Sequence, residues 1–171
     1  VKRGQMFSYD FLLSSVFLIF LLGLFLFSST ALLSQIDEAE IRAEISESAQ
    51  LAANSLMRTS GDPSNWEIAP INETGTRSLG LTGSPGELDH EKVERFFSIS
   101  GDGSEYNATM QILGLTRRSY RFNATLEYLN GTQIASIQRA PSGNPARIVS
   151  IERFAVLNGT DVIFKMVVWD E

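Results

Sequence analysis

The chain has 171 residues, no cysteine, one histidine and a formal net charge of -6. That length allows one compact domain plus an anchor. The missing cysteines exclude disulfides, thiol catalysis and cysteine-built zinc sites. No basic stripe exists to displace counterions, which argues against a nucleic-acid partner. The lone His90 argues against a histidine-based metal centre or a Ser–His dyad.

Residues 11–33 carry no charge and are dominated by Phe, Leu, Ile and Val. As a helix this stretch is about 34 Å long, enough to cross a bilayer core. Its apolar residues fall on every face, which distinguishes it from an amphipathic surface helix. Lys2 and Arg3 precede it, and Asp37, Glu38 and Glu40 follow. The positive-inside rule therefore puts the N-terminus in the cytoplasm and the bulk of the chain outside. A cleaved secretory signal is the competing reading, with Ser29-Thr30-Ala31 as a small-x-small site. Against it, the apolar stretch is longer than an ordinary signal core, and Asp10 interrupts the basic region.

No proline occurs before Pro63, and between Gly23 and Gly61 there is no glycine. Residues 35–58 are rich in Ala, Glu, Leu, Ile and Arg, all good helix formers. Ile41, Ile45, Ala49, Ala52 and Leu56 recur at spacings of four, four, three and four, one stripe at period 3.6. Thr59-Ser60-Gly61-Asp62-Pro63 supplies the stop. The expectation is one helix over residues 7–59, about 80 Å long, with two helices meeting near Ser34 as the alternative. Ser8 or Asp10 is its expected N-cap. Asp10 also suits the positive end of the helix dipole, or a positive charge on another subunit.

After Pro63 the composition becomes that of a small β-rich domain. Residues 80–86 are too glycine-rich for a helix and read as a loop. Residues 89–97 form a short helix capped by Asp89, and residues 106–113 a second one ended by Gly114. Two hairpins follow. Residues 119–129 alternate, Asn130-Gly131 gives a type I′ turn signal, and residues 132–138 return. Residues 147–157 and 160–169 flank a second signal at Asn158-Gly159. The predicted fold is α+β: a long hydrophobic N-terminal helix, then a domain with a four-stranded antiparallel sheet, one face packed on the helix.

Five Asn-x-Thr sequons occur, at Asn72, Asn107, Asn123, Asn130 and Asn158, all after Pro63. With eight asparagines in the chain, chance supplies about one or two. The excess points to an extracytoplasmic domain carrying N-linked glycans, and no other cofactor is expected. For Asn130 and Asn158 the competing explanation is hairpin chemistry, because Asn-Gly favours tight turns. Asp89, Glu91 and Glu94 cluster near His90 but read as a solvated helix face. Without a nucleophile–base pair, catalytic and metal-ligating residues are expected to be absent and the chain is not expected to be an enzyme. Arg117, Arg118 and Arg121 read as a small basic surface patch.

Lys2-Arg3-Gly4-Gln5, followed by Ser8, Asp10 and a long apolar helix, resembles archaeal type IV pilin-like proteins with class III signal peptides. The resemblance implies cleavage of the leader, residues 1–4, between Gly4 and Gln5 by a prepilin-type peptidase. The apolar helix would then stay on the mature chain. It also implies a role for Asp10 in assembly, neutralising a neighbour's terminal amine. The family pattern places its Ser two residues after Gln and its Glu two further; here Ser8 and Asp10 each stand one later. The expected organisation is a leader, a transmembrane and stalk helix over residues 5–60, and an outer domain over residues 61–171. The expected function is a major or minor subunit of a type IV pilus-like filament. Its partners would be copies of itself or related pilins, membrane lipid and the peptidase. The alternative is an anchored surface glycoprotein that never polymerises, with a receptor or adhesin role.

Overall fold

The computed structural model describes residues 3–68, 70–71, 75–99, 103–116 and 119–171, with side chains from residue 9 onward apart from 31–37. The chain divides into two units, residues 1–42 and 43–171. Helix α1, Arg3–Arg58, runs through both and is continuous through Ser34. Because α1 already includes residues 3–7, neither Ser8 nor Asp10 is its N-cap, which corrects that expectation.

In the second unit the predicted stripe is the buried one. Ile45, Ala49, Ala52 and Leu56 are buried, joined by Ala53 and Met57. The helix stops where glycine and proline were expected to stop it, and Gly61 takes the left-handed conformation (φ 87°) that favours glycine. The carbonyls that a helix end leaves unpaired find partners nearby. Leu81 N–H donates to the Leu56 carbonyl at 2.7 Å, and Thr82 N–H to that of Thr59 at 3.2 Å. Gly80 lies so close that an added Cβ would stand 2.0 Å from the Thr59 carbonyl oxygen. Only glycine permits this approach.

Beyond a 3-10 turn at Trp66–Ile68 come strands β1 (Thr82–Ser84) and β2 (Glu87–Leu88). Helices α2 (His90–Phe97) and α3 (Ser104–Ile112) follow, then strands β3 (Tyr120–Tyr128), β4 (Gln133–Ile137), β5 (Ile148–Leu157) and β6 (Thr160–Asp170). Asp89 caps α2 as expected, its carboxylate accepting from Glu91 and Lys92 N–H.

The four-stranded antiparallel sheet is corrected to a six-stranded mixed sheet, in the order β1-β2-β5-β6-β3-β4. The four predicted strands form its antiparallel part. The glycine-rich segment read as a loop instead folds into the β1–β2 hairpin, turning at Pro85-Gly86 with Gly86 at φ 83°. Glu87 and Leu88 then lie parallel to Val156 and Leu157 of β5. A two-residue strand cannot show alternation, and parallel pairing across that chain distance leaves no local signature.

The inner face of the sheet builds the core. Phe122, Ala124 and Leu126 of β3, with Val162, Phe164, Met166 and Val168 of β6, share one apolar cluster with the α1 stripe and with Phe96 and Tyr106. The expected packing of one sheet face on the helix therefore holds within this unit. Tyr106 and Phe122 stack at 4.9 Å. Pairing of β3 with β4 begins only at Ala124. At Phe122 the Tyr106 hydroxyl takes the neighbour's place, donating to its carbonyl (2.8 Å) and accepting from its N–H (2.9 Å). Burial pushes the Tyr106 phenol above its ordinary range.

The two hairpin turns differ. Asn158 and Gly159 both have positive φ (51° and 73°), as a type I′ turn requires. At Asn130-Gly131 only the glycine does (81°). Gly131 N–H donates to the Tyr128 carbonyl (2.9 Å), and Tyr128 N–H to that of Thr132 (2.9 Å). This is a longer loop with glycine in the bulge position, and the strand register shifts beside it. The expected type I′ geometry is corrected there.

Candidate membrane, assembly and modification sites

Among the described residues one helical stretch, the 22 residues Tyr9–Thr30, is long and apolar enough to cross a membrane, and its most apolar 18-residue window has a mean hydropathy of 2.6. None of it is buried within the protein. Three of its hydroxyls turn back onto their own helix: Ser15 donates to the Phe11 carbonyl (2.7 Å), Ser29 to Phe25 (2.8 Å) and Thr30 to Phe27 (2.9 Å). A hydroxyl satisfied in this way can face hydrocarbon without an open hydrogen bond. Asp10 is exposed near the start of this stretch. Gly4 and Gln5 lie on the first turns of α1; their surroundings lie outside the described side chains.

Four of the five sequons can be placed; Asn72 lies outside the described residues. Asn130 and Asn158 are exposed at hairpin turns, and so are their threonines, Thr132 and Thr160. Asn130 Oδ1 accepts from Thr132 N–H at 2.9 Å. Asn107 is exposed on α3, but Thr109 is fully buried, its hydroxyl without a partner among the described residues. Asn123 lies mid-strand in β3, paired with Val167 of β6. It is half-buried, and its Oδ1 accepts from Arg139 N–H at 2.7 Å.

Of the three arginines read as a basic patch, only Arg121 can be placed. Arg117 and Arg118 lie outside the described residues, and Arg121 is committed to Glu171, Nε to Oε2 at 2.7 Å. The Ser142 hydrogen bond, with Arg121 and Arg139 nearby, holds the Glu171 carboxyl below the usual range. Around His90 the ring faces Glu94 at 3.3 Å across one helical turn, both exposed. Among the described residues no group of three or more His, Cys, Asp or Glu side chains could hold a metal.

Protein-family models, curated proteins and solved structures offer no match to this chain. Its function must therefore be argued from its own residues.

Two features escaped sequence reasoning. A cavity of about 290 Å³ lies beneath the loop of residues 141–146, lined by Pro141, Pro145, Trp169 and Glu171 among others. Trp169 Nε1 is buried without a partner among the described residues. The second is Lys92, which is buried and donates from Nζ to the Ser60 carbonyl at 2.9 Å. The sequence reading gave Lys92 no role. Its position between Glu91 and Val93 could have signalled the face boundary.

Proposed function

We propose that this chain is a structural, non-catalytic subunit of a type IV pilus-like surface filament, held in the membrane before assembly with its domain outside the cell. The observation that carries this reading is the Tyr9–Thr30 stretch of α1. Its large apolar side chains are exposed on all faces; Phe11 is 74% exposed, Ile19 68% and Phe27 75%. Such a surface needs a non-aqueous environment. A bilayer supplies one. A bundle of the same helices supplies another, exchanging lipid contacts for Phe and Leu contacts between subunits. The basic residues before the stretch and the acidic ones after it favour a cytoplasmic N-terminus.

The leader-like Lys2-Arg3-Gly4-Gln5 and the carboxylate of Asp10 support the filament reading. Cleavage before Gln5 would create an amine, and Asp10 of a neighbour would neutralise it where an unpaired charge is costly. One observation favours the second reading, a non-polymerising anchored glycoprotein: Ser8 and Asp10 stand one residue later than in the pilin pattern.

Mass measurement of the mature N-terminus, with electron microscopy of the producing cells, tests the proposal. A terminus at Gln5 and filaments that disappear on Asp10→Ala are expected. An intact leader on the surface-exposed protein, or filaments unaffected by Asp10→Ala, would count against it. A terminus at Leu32 would make the protein a secreted one.

A further inference from the structure

We infer that folding divides the sequons of this domain: the hairpin asparagines Asn130 and Asn158 remain acceptors for an N-linked glycan in the folded chain, whereas Asn107 and Asn123 do not. The reaction has two requirements at the acceptor. The carboxamide nitrogen must reach the donor, and the hydroxyl two residues on must be open to the transferase. Sequence alone makes the sites equivalent, since each reads Asn-x-Thr. The fold makes them unequal.

At Asn107 the asparagine is exposed, but the threonine lies on the opposite side of the requirement. Thr109 faces the core with no exposed surface, because helical spacing puts it with Tyr106 and Met110 on the buried face of α3. Reaching its hydroxyl means unwinding the helix. At Asn123 the side chain is half-buried and its carbonyl oxygen is tied to Arg139 N–H. Its backbone belongs to a ladder running from Tyr120 to Tyr128 against β6, so presenting this sequon means stripping β3 from the sheet. At Asn130 and Asn158 both groups are exposed. The Thr132 N–H bond to Asn130 Oδ1 leaves Nδ2 with no intramolecular bond among the described residues, and folds the threonine back beside the carboxamide.

The two open sites also lie at one end of the sheet. Tyr128 is opposite Val162, and Leu157 opposite Thr160, so the two turns extend beyond adjacent strands in the same direction. Exposed Leu129 and Phe154 lie towards that end. Glycans there would stand over this apolar surface.

The transfer needs a co-substrate, an oligosaccharide carried on a polyisoprenyl phosphate or diphosphate, and a membrane oligosaccharyltransferase. The bond from the anomeric carbon to the phosphate oxygen breaks, its electron pair leaving with the phosphate. The C–N bond forms to Asn Nδ2, and an amide proton passes to a base of the transferase.

The test uses full-length chain made without glycans, folded in detergent, and the same chain denatured. Each is incubated with lipid-linked oligosaccharide and transferase-bearing membranes, then read by glycopeptide mass spectrometry. In the folded chain, occupancy at Asn130 and Asn158 is expected to exceed that at Asn107 and Asn123 by about tenfold or more. In the denatured chain the difference should vanish. Thr132→Val and Thr160→Val, which leave the turn asparagines in place, should each remove one glycan. Comparable occupancy of Asn107 or Asn123 in the folded chain would overturn the inference. So would modification of the hairpin sites only after denaturation, or no modification in either state.

Discussion

Helix α1 has two regions with the same backbone and opposite surroundings. Residues 9–30 expose their Phe and Leu side chains, and none of that stretch is buried within the protein. Residues 43–58 bury Ile45, Ala49, Ala52, Ala53 and Leu56 completely or nearly so, and expose Glu47, Gln50 and Arg58. Both lack proline, so neither carries a helix breaker. What separates them is the width of the apolar surface. A stripe can be covered by one sheet. A surface that is apolar all round cannot, and must take its environment from outside the chain.

Truncating one leucine in each region gives the largest expected contrast. Leu56→Ala should destabilise the domain by about 3 kcal/mol, through lost apolar burial and an unfilled cavity. Leu18→Ala should leave domain stability unchanged within about 0.5 kcal/mol. Denaturant unfolding in detergent, followed by tryptophan fluorescence, reads this directly, since both tryptophans, Trp66 and Trp169, lie in the second unit. Equal effects of the two substitutions would break the comparison.

A smaller effect sharpens what holds the helix end. Lys92 is 4% exposed, and its ammonium caps the Ser60 carbonyl just past α1, with the Thr82 carbonyl farther off at 3.5 Å. Lys92→Met keeps an apolar stem of similar reach and removes the donor. The expected cost is about 2 kcal/mol, the worth of a hydrogen bond from a charged donor to a partly buried acceptor. Unchanged stability in the same fluorescence assay would show that the backbone bonds from Leu81 and Thr82 suffice to end the helix.

The parts legible in the sequence were those with a repeating local signal. The α1 stripe and the alternation of β3 each recur over several residues, and the glycine–proline stop is a strong local breaker. β1 and β2 are too short to alternate, and the pairing of β2 with β5 joins segments about seventy residues apart. The turn at Asn130-Gly131 shows a different limit. The dipeptide marks a turn, but loop length selects its type, and here the bonds at Tyr128 make a longer loop. The sequons were legible as motifs and not as sites. Asn123 falls on the outward phase of β3, opposite Phe122 and Ala124, which the alternation does reveal. The burial of Thr109 depends on which face of α3 meets the core, and that is a tertiary fact.

Acid separates the two regions once more, with the smallest expected effect. Glu105 on α3 pairs with Arg95 of α2 and accepts from Ile71 N–H at 3.1 Å. The Arg95 hydrogen bond is the main cause holding its carboxyl below the ordinary range, and the Ile71 bond adds to it against the opposing effect of burial. A carboxyl lowered by folding binds its proton more tightly in the unfolded chain. Its contribution is therefore complete above the ordinary carboxylate range, and is lost as pH falls through the folded value. Solvent screening of a partly exposed pair limits that contribution to about 1 kcal/mol. Between pH 6 and pH 3 the wild-type domain should lose more stability than Glu105→Gln, the difference being this amount. The helical signal of residues 9–30 in detergent should stay unchanged over the same range, since their hydrogen bonding is internal to the helix. A pH profile identical for the two proteins would remove Glu105 from the acid response. A loss of helix in the apolar segment at low pH would show that its order depends on the domain's ion pairs, and that the two regions of α1 are coupled.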